Sequence, residues 1–169
     1  TGMSRLGFYF QDLNRDVAVV DEIVSSCKLP GLVPEGIFTH FAVADSGKDG
    51  MMFTMRQFGC FKELIETLSH KGIEFPIRHC ANSGAIMQHK EYCFDMVRPG
   101  IILYGLNPSD QVPEGVLNLK SVMELVAHVA YVKTIKKGDT VSYGRTFTAD
   151  RDMKIATIPV GYADGYPRL

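Results

Sequence analysis

Apolar positions along the chain change rhythm several times, and each change marks an element. Phe8–Phe10 reads as a short strand. Val17, Val20, Val24 and Cys27 then recur at helical spacing, and Pro30-Gly31 stops that helix. GIFTHFAVAD at 36–45 has the content of a strand and runs into a polar, Gly-rich loop at 46–50. A second helix places Phe58, Phe61, Ile65 and Leu68 on one face and closes at Gly72. FPIRHCAN at 75–82 is the next predicted strand, Ser83 the N-cap of a short helix through Met87, and CFDMVRPG at 93–100 a last strand. This alternation with short connections predicts parallel β/α units. The expected class is therefore α/β, with residues 1–106 forming half of a β/α (TIM-type) barrel.

Further along, the texture differs. Residues 107–115, with Pro108 and Pro113, read as a linker. From 116 to 169 the chain reads as the beginning of a mainly antiparallel β-domain. Its expected strands are SVMELVAHVAYVKTI at 121–135, VSYGRTF at 141–147 and KIATIPV at 154–160, with turns at Lys136-Lys-Gly-Asp and Asp150-Arg-Asp.

Composition narrows the function classes. Of the 169 residues 46% are hydrophobic and 22% charged, which excludes a disordered chain. Eighteen Lys+Arg against nineteen Asp+Glu leave a net charge of −1 with no basic stripe, so nucleic acid is not an expected partner. No apolar run approaches the roughly 18 residues of a membrane span. TGMSRLGFYF lacks the pattern of a signal peptide. A cytoplasmic protein is expected, with Cys27, Cys60, Cys80 and Cys93 as reduced thiols, since their spacing shows no disulfide framework. Neither end carries a polar tail, and a fragment of a longer protein is expected.

In a β/α barrel the chemistry sits at the C-terminal ends of strands. Arg5, His40, Asp45, His79, Asn82, Ser83 and Arg98 all fall at or just after a predicted strand. His40 and His79 read either as hydrogen-bonded structural residues or, taken with the two arginines, as parts of one site. His40, Asp45, His79 and Cys80 also have metal-ligand chemistry, but their spacing matches no zinc pattern. His70, His89 and His128 are expected to be solvated.

Arg98-Pro99-Gly100-Ile101 opens a helical turn whose first N–H groups point outward, and Ser83 adds a hydroxyl nearby. Together they read as a phosphate cup or as two ordinary caps. Without a Walker or dinucleotide fingerprint, a small phosphorylated cofactor fits better than a nucleotide. The Gly-flanked turn GYADGYPR at 161–168 either caps a hairpin or displays a phenol as a proton donor.

TGMSRLGF at 1–8, GIFTHFAVAD, HCANSGAI at 79–86, FDMVRPGIILYG at 94–105, VSYGRTF and IPVGYADGYPR at 158–168 together resemble bacterial alanine racemase, in family order and across essentially the whole chain. GYADGY combined with VRPGI-x-LYG is the most specific pair. The resemblance implies the second half of a pyridoxal-phosphate-binding barrel followed by the start of the family's β-domain. It implies a head-to-tail homodimer with shared active sites, which interconverts L- and D-alanine and supplies D-alanine for peptidoglycan. It also implies a two-base mechanism, with a Schiff-base lysine serving one face and a tyrosine from the other subunit the opposite face.

By position in these motifs, Tyr162 resembles that tyrosine and Arg98 the arginine bonded to the pyridine nitrogen. Arg5 resembles the arginine near the substrate carboxylate, and Ser83, Gly100 and Ile101 the phosphate ligands. His40 resembles the link from the tyrosine to Arg98, and His79 a further member behind Arg98. Lysine and tyrosine both have ordinary pKa values near 10, and cationic Arg5 would favour the phenolate. None of the ten lysines matches the Schiff-base lysine, which the family carries far upstream, so the segment alone is expected to be inactive. A phosphate-binding tyrosine and a methionine-containing pocket loop of the family are also missing, and Gly84 stands where alanine is usual. A serine or broad-specificity racemase would share every motif present. A metal-dependent barrel hydrolase and a non-catalytic pyridoxal-phosphate-binding barrel are the alternatives of another class.

Overall fold

Two short strands, β1 (Gly36–Phe38) and β2 (Ile77–His79), lie parallel in the computed structural model, which describes residues 1–167. Gly36 faces Ile77, Ile37 faces Arg78 and Phe38 faces His79. Antiparallel strands need only a hairpin, whereas a parallel pair needs a crossover. Here the 24-residue helix α2 (Gly47–His70) makes it. α1 (Val17–Cys27) precedes β1 and α3 (Ser83–Gln88) follows β2. The expected α/β character is thus present as a β-α-β unit with flanking helices.

Apolar burial explains the arrangement. Phe10, Val20 and Ile23 close against Leu64 and Leu68 of α2. Phe41, Ala44, Phe61, Cys80, Ala81, Ala85 and Tyr92 form a second cluster under the ends of β1 and β2. The face of α1 is rotated from the expected one, because Ile23 is buried while Val17 is exposed.

Several predicted elements are shorter than expected, for physical reasons. Residues 8–10 form no strand; left-handed Ser4 and Gly7, at φ 52° and 79°, bend the segment that leads into them. β1 ends at Phe38 because the Gln57 side chain takes up backbone groups of His40 and Ala42. The loop expected at 46–50 is largely the first turn of α2. Gly50 serves close approach there, since a Cβ would lie 2.3 Å from the Val43 carbonyl oxygen. Residues 93–100 run beside β2 without forming a strand. The Asp95 carboxylate accepts from Arg78 N–H, leaving only Asp95 N–H to Arg78 O and Arg98 N–H to Ala81 O as backbone links. Residues 101–104 are a 3-10 turn. His89, expected in solvent, is half-buried and stacks on Tyr92.

The chain divides into two units, Thr1–Val122 and Met123–Leu169. Residues 107–115, read from sequence as a linker, pack on the first unit. Val112 is buried there and its carbonyl accepts from Asn107 Nδ2, while Ser109 Oγ donates to Asp45 O.

In the second unit β3 (Tyr131–Ile135) pairs antiparallel with β6 (Met153–Thr157), and β4 (Thr140–Val141) with β5 (Phe147–Thr148). The antiparallel texture is as expected, but two strands are broken. The predicted 121–135 run is a strand only from Tyr131, although Ala130 N–H, just ahead of it, already donates to Thr157 O at 2.9 Å. VSYGRTF is interrupted by a turn in which Ser142, Gly144 and Arg145 are left-handed. Tyr162–Asp164 is a short 3-10 turn, and Arg168 of GYADGYPR lies outside the described residues with Leu169.

Candidate active site

Three polar side chains meet where β1 and β2 end. His79 is the last residue of β2, His40 follows β1 by two, and Arg98 arrives on the segment beside β2. The Arg98 guanidinium lies between the two imidazoles. One terminal nitrogen contacts His79 Nδ1; the other donates to Thr39 O at 2.9 Å and lies 3.2 Å from His40 Nδ1. Phe38 stacks on His79 at 5.2 Å, and Arg98 sits 5.1 Å from the same aromatic ring.

Arginine has only donors, so both histidines must present a lone pair on Nδ1 and carry their proton on Nε2. Burial, and then the charge of Arg98, hold both imidazoles below the ordinary histidine range; Arg5 adds to the effect on His40. Both are therefore neutral at pH 7. Burial likewise lowers Arg98, and Arg5 contributes in the same direction, though arginine stays protonated at any physiological pH.

Beside this cluster, Ser83 Oγ accepts from Gly100 N–H at 2.9 Å. A hydroxyl that accepts one bond keeps its own proton to donate. Gly100 occupies the N-cap position of the 3-10 turn Ile101–Tyr104, so the first N–H groups of that turn have no earlier carbonyl in the helix to bond. The N-cap of α3 is not Ser83 as expected but Asn82, whose Oδ1 accepts from Ala85 N–H at 3.1 Å. Ser83 is thereby freed to face Gly100.

Arg5 is exposed and lines, with Phe38, Thr39 and His40, a cavity of about 410 Å³ in the first unit. Tyr162 is 71% exposed in the second unit, on a turn fixed by Gly161 N–H donating to Asp164 Oδ2 at 2.9 Å. Three of the four residues of the metal alternative have a ligand atom turned to another partner. Both Nδ1 atoms face Arg98, and the buried Cys80 thiol donates to Tyr92 O and is pushed up to about 12 by burial. Among the described residues, no three His, Cys, Asp or Glu side chains come together as a metal site.

One residue of the site escaped the sequence reading. Gln57 is 2% exposed in α2 and bonds to Thr39, His40 and Ala42. Its signal was a polar side chain at helical spacing from Phe61, Leu64 and Leu68 on the buried face.

Fold and site define an α/β protein with a cationic, donor-rich site at the ends of parallel strands, next to a serine hydroxyl and a glycine-opened turn. Residues 1–108 match the alanine racemase N-terminal domain and residues 122–169 the alanine racemase C-terminal domain. The chain belongs to the alanine racemase family. It is 47% identical to an alanine racemase of Desulforamulus reducens, over 100% of this chain and 44% of that protein. It is 43% identical to one of Methanococcus maripaludis, over 100% of this chain and 43% of that protein. Among solved structures, the biosynthetic alanine racemase of Pseudomonas aeruginosa aligns with a TM-score of 0.74 at 33% identity, covering 99% of this chain and 43% of its own. Alanine racemase of Clostridium difficile 630 aligns at 0.73 and 38% identity, covering 99% and 42%. The chain thus spans less than half the length of these relatives.

Proposed function

We propose that the protein containing this chain interconverts the enantiomers of alanine with pyridoxal 5'-phosphate, and that residues 1–106 form the second half of its barrel. The observation that carries the reading is Arg98, a donor-only cation held by two neutral histidines beside the Ser83–Gly100 pair, in a chain of this family.

The donor set fits the cofactor. Ser83 Oγ and the N–H groups of Gly100 and Ile101 would hold the phosphate. Arg98 uses three N–H groups on His79, Thr39 and His40, which leaves others for the pyridine nitrogen. The bound cofactor supplies the electron sink that acidifies the α-carbon of an amino acid. Because Arg98 donates and cannot surrender a proton, a pyridine nitrogen held by it would stay unprotonated, which would weaken the sink and disfavour transamination relative to racemisation. Arg5 would bind the substrate carboxylate.

Tyr162 would take and return the α-proton on the L-alanine face, with His40 linking its phenol to Arg98. The opposite face requires a cofactor-bearing lysine, which none of the ten lysines here matches, so the reaction belongs to the longer protein. Its active sites would be shared across a homodimer, and its product D-alanine would serve peptidoglycan synthesis.

Arg98→Glu in that protein tests the reading. Alanine racemisation should fall at least tenfold while pyruvate from transamination rises above the wild-type level. A variant that racemises at the wild-type rate without added pyruvate would remove the role given to Arg98.

A further inference from the structure

We propose that Gln57 is the positioning residue for His40: its buried amide clamps the backbone around that histidine and thereby holds the imidazole on Arg98. A primary amide on the apolar face of a helix is costly unless its polar atoms are bonded. Gln57 meets the condition by taking groups that β1 leaves unpaired. Oε1 accepts from Ala42 N–H at 3.2 Å, and Nε2 donates to His40 O at 2.7 Å and to Thr39 Oγ1 at 3.2 Å.

The other side of the same backbone is held by the site itself. Arg98 donates to Thr39 O at 2.9 Å, so the carbonyl before His40 is fixed by Arg98 and the carbonyl of His40 by Gln57. With both neighbouring peptides anchored, the Cα–Cβ direction of His40 is set, and Nδ1 falls 3.2 Å from the guanidinium. A Cβ on Gly2 would lie 2.4 to 2.7 Å from Cδ, Oε1 and Nε2 of Gln57, so the Gly2 backbone closes one side of the amide. The segment bearing Arg5 is in this way packed on the same clamp. The consequence for turnover rests on the racemase reading above; the geometry does not.

The test uses the longer protein with four variants: Gln57→Leu, Gly2→Ala, their combination, and Gln57→Glu. NMR titration of the His40 ring is one readout, and kcat and KM for alanine are the other. In the wild type His40 titrates below the ordinary imidazole value, because burial and the facing charges of Arg98 and Arg5 oppose its protonation. Gln57→Leu and Gly2→Ala should each release the ring and move that titration up toward about 6.5. They should lower kcat about ten- to a hundredfold with KM changed less than about threefold. The combination should be no worse than the more severe single change.

Gln57→Glu keeps the fold testable if the others unfold. Its carboxylate cannot donate to His40 O, whereas its protonated form can, so activity relative to wild type should recover as pH falls. A His40 titration unmoved by Gln57→Leu and Gly2→Ala, or a Gln57→Glu deficit independent of pH, overturns the proposal. Absent racemisation in the wild type, with the titration shifts as stated, would remove the racemase reading and leave the clamp standing.

Discussion

Arg98 organises its neighbours because it can only donate. Each imidazole facing it must offer a lone pair, so protonating either one places a cation against the guanidinium. That gives the first unit a signed dependence on pH. His40 and His79 bind protons more weakly folded than unfolded. Between the folded values and about 6.5, the unfolded chain therefore binds more protons, and stability rises with pH. Their contribution is complete above about 6.5 and is lost as pH falls through the folded values. Urea midpoints of the longer protein should fall between about pH 7.5 and about pH 5. Replacing both histidines by glutamine should flatten that slope, and an unchanged slope would show that the imidazoles are not its source. Residue types at strand ends made these three side chains legible in the sequence. Gln57 was not, since its partners are backbone atoms of a loop, and only the fold shows which carbonyl a glutamine reaches.

Elements were legible where side-chain periodicity decides them. α1, α2 and the β1-α2-β2 order follow from apolar spacing, whereas strand length, and whether residues 8–10 and 93–100 form strands at all, does not. Side chains of Gln57 and Asp95 capture backbone groups that a longer ladder would use, and composition carries no sign of that competition. The cap of α3 is a case where neighbours compete for one role. Asn82 wins it because its amide does two things at once, accepting from Ala85 N–H and donating to Phe41 O at 3.3 Å. Asn82→Ala removes both bonds and should cost about 1–2 kcal/mol of stability, read from denaturant unfolding. Asn82→Asp restores the acceptor alone and should recover part of the loss. No recovery with Asp would mean that the cap contributes nothing to the deficit.

At the scale of the whole molecule the proposed reaction turns on Tyr162, whose phenol is 71% exposed on a turn that hydrogen bonds hold from within. A racemase needs acid–base groups on opposite faces of one carbon, and the cationic cluster of the first unit supplies no phenol. If Tyr162 serves the L-alanine face, Tyr162→Phe removes the hydroxyl but keeps the ring, so cofactor binding should survive. In deuterated water the variant should still exchange the α-proton of D-alanine through the lysine. Exchange from L-alanine should fall by about 10²–10⁴-fold. The shared active site proposed above would add a stricter consequence. Subunits carrying Tyr162→Phe, mixed with subunits lacking the lysine, should regain activity, because one of the two sites in each heterodimer then pairs the lysine of one subunit with the tyrosine of the other. Equal loss of exchange from both enantiomers would contradict the two-base assignment. Asymmetric loss without rescue on mixing would instead place Tyr162 in its own subunit's site.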